Sequence, residues 1–287
     1  MSTMNGPIRA CAAGLVLLLA ASASQAAPPI RFAPLPMENR EVTVKAFLPL
    51  VEHLQKELGQ PVELVYFDRY DDIVEGFIAD KLDIAFFGPL PYLTMRERNP
   101  ATDPLIFFRE ADGSTRYRCA LVAFVDDRVK LSQLKGKRVG LTQRLSTCGY
   151  LGTDHILRKH AGLSLDATHY RYIGSHEKVI RAVVGGEFDV GGVKEEFAVK
   201  FATLGVKIIA RSDEVPAVGL AGNGHTLDAD IRARIRRVLL DTPKSVYQTW
   251  GATISHGMAP ASDAEFATLR AFGDIKAIPP DPASAGK

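Results

Sequence analysis

The stretch that decides the fold is Ser132-Gln133-Leu134-Lys135-Gly136-Lys137-Arg138-Val139-Gly140-Leu141, followed four residues later by Ser146-Thr147-Cys148-Gly149-Tyr150. Residues 138–141 read as a strand, Ser146 to Gly149 as a Ser-Thr-x-Gly turn, and residues 150–160 as a helix stopped by Gly162. Such a strand–turn–helix unit is built to hold an anion. The first turn of a helix has N–H groups with no partner inside the helix, and the helix dipole places partial positive charge there. The hydroxyls of Ser146 and Thr147 would point at the same spot. The same residues could equally be plain N-caps that bind nothing.

Outward from this unit, strands and helices alternate. A strand at 30–35 precedes Phe47, Leu50, Val51, Leu54 and Leu58, which recur at helical spacing up to Gly59. Strands follow at 61–67, 82–87 and 117–125, with a helix at 71–79. The second block has strands at 138–141, 169–173, 188–191 and 206–210, and helices at 150–160, 177–184 and 195–203. A last helix spans 228–240, with Ile231, Ile235, Val238 and Leu239 inward and Arg232, Arg234, Arg236 and Arg237 on its solvated side. This alternation argues an α/β fold of two lobes, each a mostly parallel sheet flanked by helices. A ligand would lie in the cleft between them, where strand carboxyl ends and helix N-termini converge.

The N-terminus has a different character. Arg9, an apolar run from Ala10 to Ala21 and the small residues from Ser22 to Ala27 form the three parts of a secretory signal peptide. Cleavage is expected after Ala26, leaving 27–120 plus 212–287 as lobe I and 121–211 as lobe II. The 287 residues carry 35 Lys and Arg against 33 Asp and Glu, a net charge of +2, so the balance does not favour a nucleic-acid partner. Of three cysteines, Cys11 leaves with the leader. Two remain, Cys119 and Cys148, and in an exported chain one disulfide is the first expectation. Other candidates for the cleft are Tyr70, Tyr92 after Phe86-Phe87-Gly88-Pro89, and His176, which opens a helix after Gly174-Ser175. His155 and His160 are five residues apart and share no helical face, so neither metal nor cofactor is expected.

An ordered set of motifs now accumulates. Leu82-Asp83-Ile84-Ala85-Phe86-Phe87-Gly88-Pro89 is followed by Leu134-Lys135-Gly136-Lys137-Arg138-Val139, Ser146-Thr147-Cys148-Gly149 and Gly174-Ser175-His176-Glu177. Gly186-Glu187-Phe188-Asp189-Val190-Gly191-Gly192-Val193 and Ile208 to Pro216 complete it. In this order the chain resembles the PhnD-type periplasmic solute-binding proteins for phosphate, phosphite and phosphonates, across about residues 30–245. The resemblance implies no enzyme. It implies a monomer that holds a small oxyanion between two α/β lobes, closes on it, and delivers it to an ABC transporter permease. By motif the pocket would comprise Tyr70, Tyr92, Ser146, Thr147, Cys148 and His176.

Departures from the family pattern carry their own expectations. Where aminophosphonate binders place an acidic residue after the Asp-x-x-x-Val segment, this chain has Lys194, which disfavours a ligand with an amine. Cys148 replaces a serine of the anion loop, and Cys119 stands where the family has a small residue. The pair reads either as a disulfide stapling the loop or as a thiol site. The second reading is similar to an arsenite-binding branch of the family that signals to a membrane sensor histidine kinase.

Overall fold

The computed structural model describes Met1 and residues 27–280. The expected signal peptide and Cys11 lie outside the described residues, as does the end of the tail. The chain builds two sheets. The first takes strands β1 (Ile30–Ala33), β2 (Val62–Leu64), β3 (Ile84–Phe87) and β4 (Thr102–Phe108). The second takes β5 (Arg116–Phe124), β6 (Arg138–Leu141), β7 (His169–Tyr172), β8 (Val190–Lys194) and β9 (Val206–Pro216). The chain then returns to the first sheet with β10 (Gly219–Asn223) and β11 (Met258–Pro260). Spatial order is β11-β4-β10-β3-β1-β2 in one sheet and β7-β6-β8-β5-β9 in the other.

Helices α1 (Arg40–Leu58), α2 (Tyr70–Ile78) and α3 (Pro89–Arg98) belong to the first block. The second contains α4 (Tyr150–Ala161), α5 (His176–Val184) and α6 (Glu195–Lys200), and α7 (Ala229–Leu240) and α8 (Lys244–Tyr247) follow. Their ends obey local chemistry. Asn39 caps α1 by accepting from the Val42 N–H, Ser175 caps α5 through the Lys178 N–H, and Asp228 caps α7 through the Ile231 N–H. Gly59 and Gly162 end α1 and α4 in the left-handed region.

The two-lobed α/β architecture is present, but each sheet is mixed rather than mostly parallel. The ladders β1–β2, β1–β3, β6–β7 and β6–β8 are parallel. Antiparallel pairs join wherever the chain changes sheet: β10 between β3 and β4, and β5 between β8 and β9. A strand that enters a sheet from the far lobe arrives against the direction of its neighbours. This also explains why β9 extends to Pro216, well past the expected 210: its second half pairs with β5 across the lobe boundary, Arg116 opposite Pro216. The outward and return crossings lie side by side, with the Ala217 N–H donating to the Thr115 carbonyl at 2.8 Å.

Two further differences concern charge and packing. Arg232 and Arg236 of α7 are half-buried and turn to Asp103 on β4, at 3.2 and 3.0 Å, instead of lying on a solvated face. The C-terminal 3-10 stretch Asp263–Phe272 packs against both lobes: Phe266 stacks on Tyr92 at 4.0 Å and Phe272 stacks on His155 at 3.9 Å.

Candidate functional site

The loops at the carboxyl ends of β1, β3 and β6 meet at a small pocket. Its polar lining is Tyr70, Tyr117, Ser146, Thr147, His176 and Lys194, with Cys148 beside them. Loops of the two lobes touch across it, so the cleft stands closed. Direct bonds hold it so. The Tyr70 N–H donates to Gln143 Oε1 at 2.7 Å, and the Leu90 N–H to Thr147 Oγ1 at 3.0 Å. The His176 N–H donates to the Met37 carbonyl at 3.1 Å, and Arg144 pairs with Asp71.

Ser146 and Thr147 are buried in the turn before α4. Among the described residues, the backbone N–H groups of Thr147 and Cys148 have no acceptor. Two hydroxyls and two backbone N–H groups thus belong to one turn that lines the pocket, donors of the kind an anion would need. Thr147 Oγ1 would lie 3.3 Å from a Cβ on Gly88, so the absence of a side chain there lets the turn after β3 approach the cradle.

Two tyrosines close the top. Tyr70 and Tyr117 are buried, and burial pushes both hydroxyls well above the ordinary phenol range, keeping them protonated donors. The Tyr117 hydroxyl is within hydrogen-bonding reach of Thr147. Tyr92 is elsewhere. Its ring packs under Phe266 and its hydroxyl donates to Asp263 Oδ1 at 2.6 Å, so it does not line the cavity. Sequence reasoning chose Tyr92 because it follows Gly88-Pro89, but α3 carries that side chain away from the cleft. Tyr117 was missed because a tyrosine at the start of a crossing strand has no local signature.

His176 presents one defined tautomer. The Lys194 N–H donates to Nδ1 at 3.1 Å, which leaves the ring proton on Nε2. The ring stacks on Phe197 at 4.6 Å. Burial, reinforced by the Lys194 charge, pushes its pKa down to about 3, so the imidazole is neutral at physiological pH and acts as a donor only through Nε2. Lys194 is buried with its ammonium 2.9 Å from Glu110 Oε1 and 2.7 Å from Glu196 Oε2. Burial alone would lower its pKa; the attraction of Glu196 and Glu110 outweighs burial and raises it.

Cys119 and Cys148 form a disulfide, Cα to Cα 5.1 Å. The bridge ties the anion turn to β5, the strand that carries Tyr117. With both sulfurs bonded to each other, neither is a thiolate in this structure, which fits the disulfide reading of the pair.

Residues 32–266 match the family described as the ABC transporter, phosphonate, periplasmic substrate-binding protein. The phosphate-import protein PhnD of Mycolicibacterium smegmatis is 28% identical over 203 residues, covering 63% of this chain and 63% of that one. The phosphonates-binding periplasmic protein of Escherichia coli is 25% identical over 213 residues, covering 70% of this chain and 62% of that one. The chain thus spans under two thirds of the length of these relatives. The structure of PhnD1 from Prochlorococcus marinus in complex with methylphosphonate superimposes with a TM-score of 0.76 at 19% identity, over 85% of this chain and 96% of that one. That likeness establishes the fold.

Proposed function

We propose, from the premise that this chain belongs to the phosphonate periplasmic substrate-binding family of ABC transporters, that it captures a small tetrahedral oxyanion of the phosphite, phosphate or methylphosphonate class and delivers it to an ABC permease. The observation that supports this reading is the cavity lining. Ser146, Thr147, Tyr70, Tyr117 and His176 converge as neutral donors, with free N–H groups at Thr147 and Cys148. Many neutral donors can hold an oxyanion without a dedicated counter-charge. The methylphosphonate bound to the Prochlorococcus relative and the phosphate imported by the Mycolicibacterium one are ligands of this shape.

The lobes are taken as 27–120 plus 212–287 and 121–211, which the sheet memberships support except where β5 begins at Arg116 and β9 runs on to Pro216. Closure selects the bound state because only then do Tyr70 from the first lobe and Ser146, Thr147 and His176 from the second reach one ligand. Export to the periplasm by cleavage of the first 26 residues, and action as a monomer, complete the reading.

Calorimetric titration with phosphite, phosphate and methylphosphonate tests it. Ser146→Ala and Thr147→Ala should each weaken binding by about 1–3 kcal/mol, a factor of roughly 5 to 150. Unchanged affinity in both variants would remove the cradle from the mechanism.

A further inference from the structure

Lys194 is 2% exposed, and lysine is almost never buried so deeply without partners. Its partners stand at a boundary. Lys194 and Tyr117 line the anion cavity. Glu110, Glu196 and Tyr117 line a second, larger pocket of about 390 Å³ that reaches Arg109, Asp112 and His256. The Lys194 ion pairs to Glu110 and Glu196 therefore form the wall between the two spaces, together with the Tyr117 ring, whose centroid lies 5.0 Å from the ammonium. Glu196 is braced further by the Thr253 hydroxyl at 2.9 Å.

We propose that Lys194 supplies from within the chain the ammonium group that a ligand would otherwise bring: it fills the seat between Glu110 and Glu196, closes the anion cavity off from the larger pocket, and restricts the site to compact oxyanions without a cationic tail. This rests on the oxyanion reading of the same cavity. Size and charge act in the same direction. The chain of an aminoalkylphosphonate would have to pass through the wall to reach the larger pocket. Its ammonium would also meet a like charge in a buried setting, where water screens little. Truncating Lys194 reverses both effects. The wall opens into the larger pocket, and Glu110 and Glu196 are left as two carboxylates lacking their cation. An aminoalkylphosphonate can then place its own ammonium there while the cradle holds its phosphonate.

Calorimetric titrations of the wild type, Lys194→Ala and Lys194→Ala/Glu196→Gln would use methylphosphonate, phosphite, 2-aminoethylphosphonate and 3-aminopropylphosphonate, with circular dichroism to confirm folding. The wild type is expected to prefer methylphosphonate or phosphite over both amines by at least 100-fold. Lys194→Ala is expected to gain at least tenfold for one of the two amine chain lengths, and Glu196→Gln to remove that gain. A wild type that binds either amine within tenfold of methylphosphonate overturns the proposal whether or not the variants fold. So does a folded Lys194→Ala with no gain. A wild type that binds none of the four overturns the oxyanion reading and the proposal with it.

Discussion

Breaking the Cys119–Cys148 bridge should weaken both the fold and the anion site. The bridge joins residues 29 apart in sequence. In the chain-entropy relation a loop of that length removes about 12 cal/mol/K from the unfolded ensemble, or about 3.6 kcal/mol at 25 °C. For a chain of this size that corresponds to a fall in Tm of roughly 7–14 °C. The effect on binding has a separate origin. Cys148 belongs to the cradle turn, and the bridge is its covalent tie to β5. Without the tie, ordering even one residue of the turn on binding costs about 1–2 kcal/mol, so affinity should drop about tenfold. Scanning calorimetry and titration would compare the oxidised protein with the protein reduced by a phosphine, and with Cys119→Ala/Cys148→Ser. If melting moves by less than about 2 °C and affinity is unaltered, the bridge does not organise the turn and the reasoning fails.

His176 makes a pH prediction. Its folded pKa of about 3 lies below the ordinary 6.5, so on acidification the unfolded chain takes up the proton first. The stability is complete above pH 6.5 and is lost as pH falls towards 3, by about 2.5–3 kcal/mol between pH 7.5 and 4.5. Urea unfolding at the two pH values should show that slope, and His176→Gln should lessen it. Tyr117→Phe should weaken oxyanion binding by about 1 kcal/mol or more, whereas Tyr92→Phe, whose hydroxyl faces Asp263, should alter melting and not affinity. Titration of the two variants side by side decides which tyrosine serves the site. Gly152→Ala would set a Cβ 2.7 Å from Cys119 Sγ and 2.7 Å from the Thr147 carbonyl, overpacking the turn of α4 that lies on the disulfide. A loss of about 1–3 kcal/mol in denaturant unfolding is the expected result.

Much of this protein could be read from local chemistry. Hydrophobic spacing and end signals located the end of α1 at Gly59 and both ends of α4 and α7 to within a residue, at Gly162 and Asp228 where a stop or cap residue stands, whereas the start of α1 at Asn39 was not read. The turn from Ser146 to Gly149 was legible as the entry to α4, because the break between a strand and the first turn of a helix is a local feature. Helix α3 was not legible. It begins Pro89-Leu90-Pro91, a pattern that local rules assign to a turn, and its helical state depends on packing of Leu90, Tyr92 and Leu93 into the core. Strand β10, Gly219-Leu220-Ala221-Gly222-Asn223, lacks any alternation, and is a strand because β3 and β4 bond it on both sides.

The sequence alone, then, determined the alternating elements and the turn that opens α4, since each depends on neighbours a few residues away. Only the tertiary structure decided that Tyr117 and not Tyr92 faces the cavity, that the two sulfurs are joined, and that Lys194 is locked between Glu110 and Glu196. Those choices bring together residues far apart in sequence, 84 positions for Lys194 and Glu110 and 171 for Tyr92 and Asp263. The hydrogen-bond ladder of a sheet sets such meetings, and no local pattern in the chain records them.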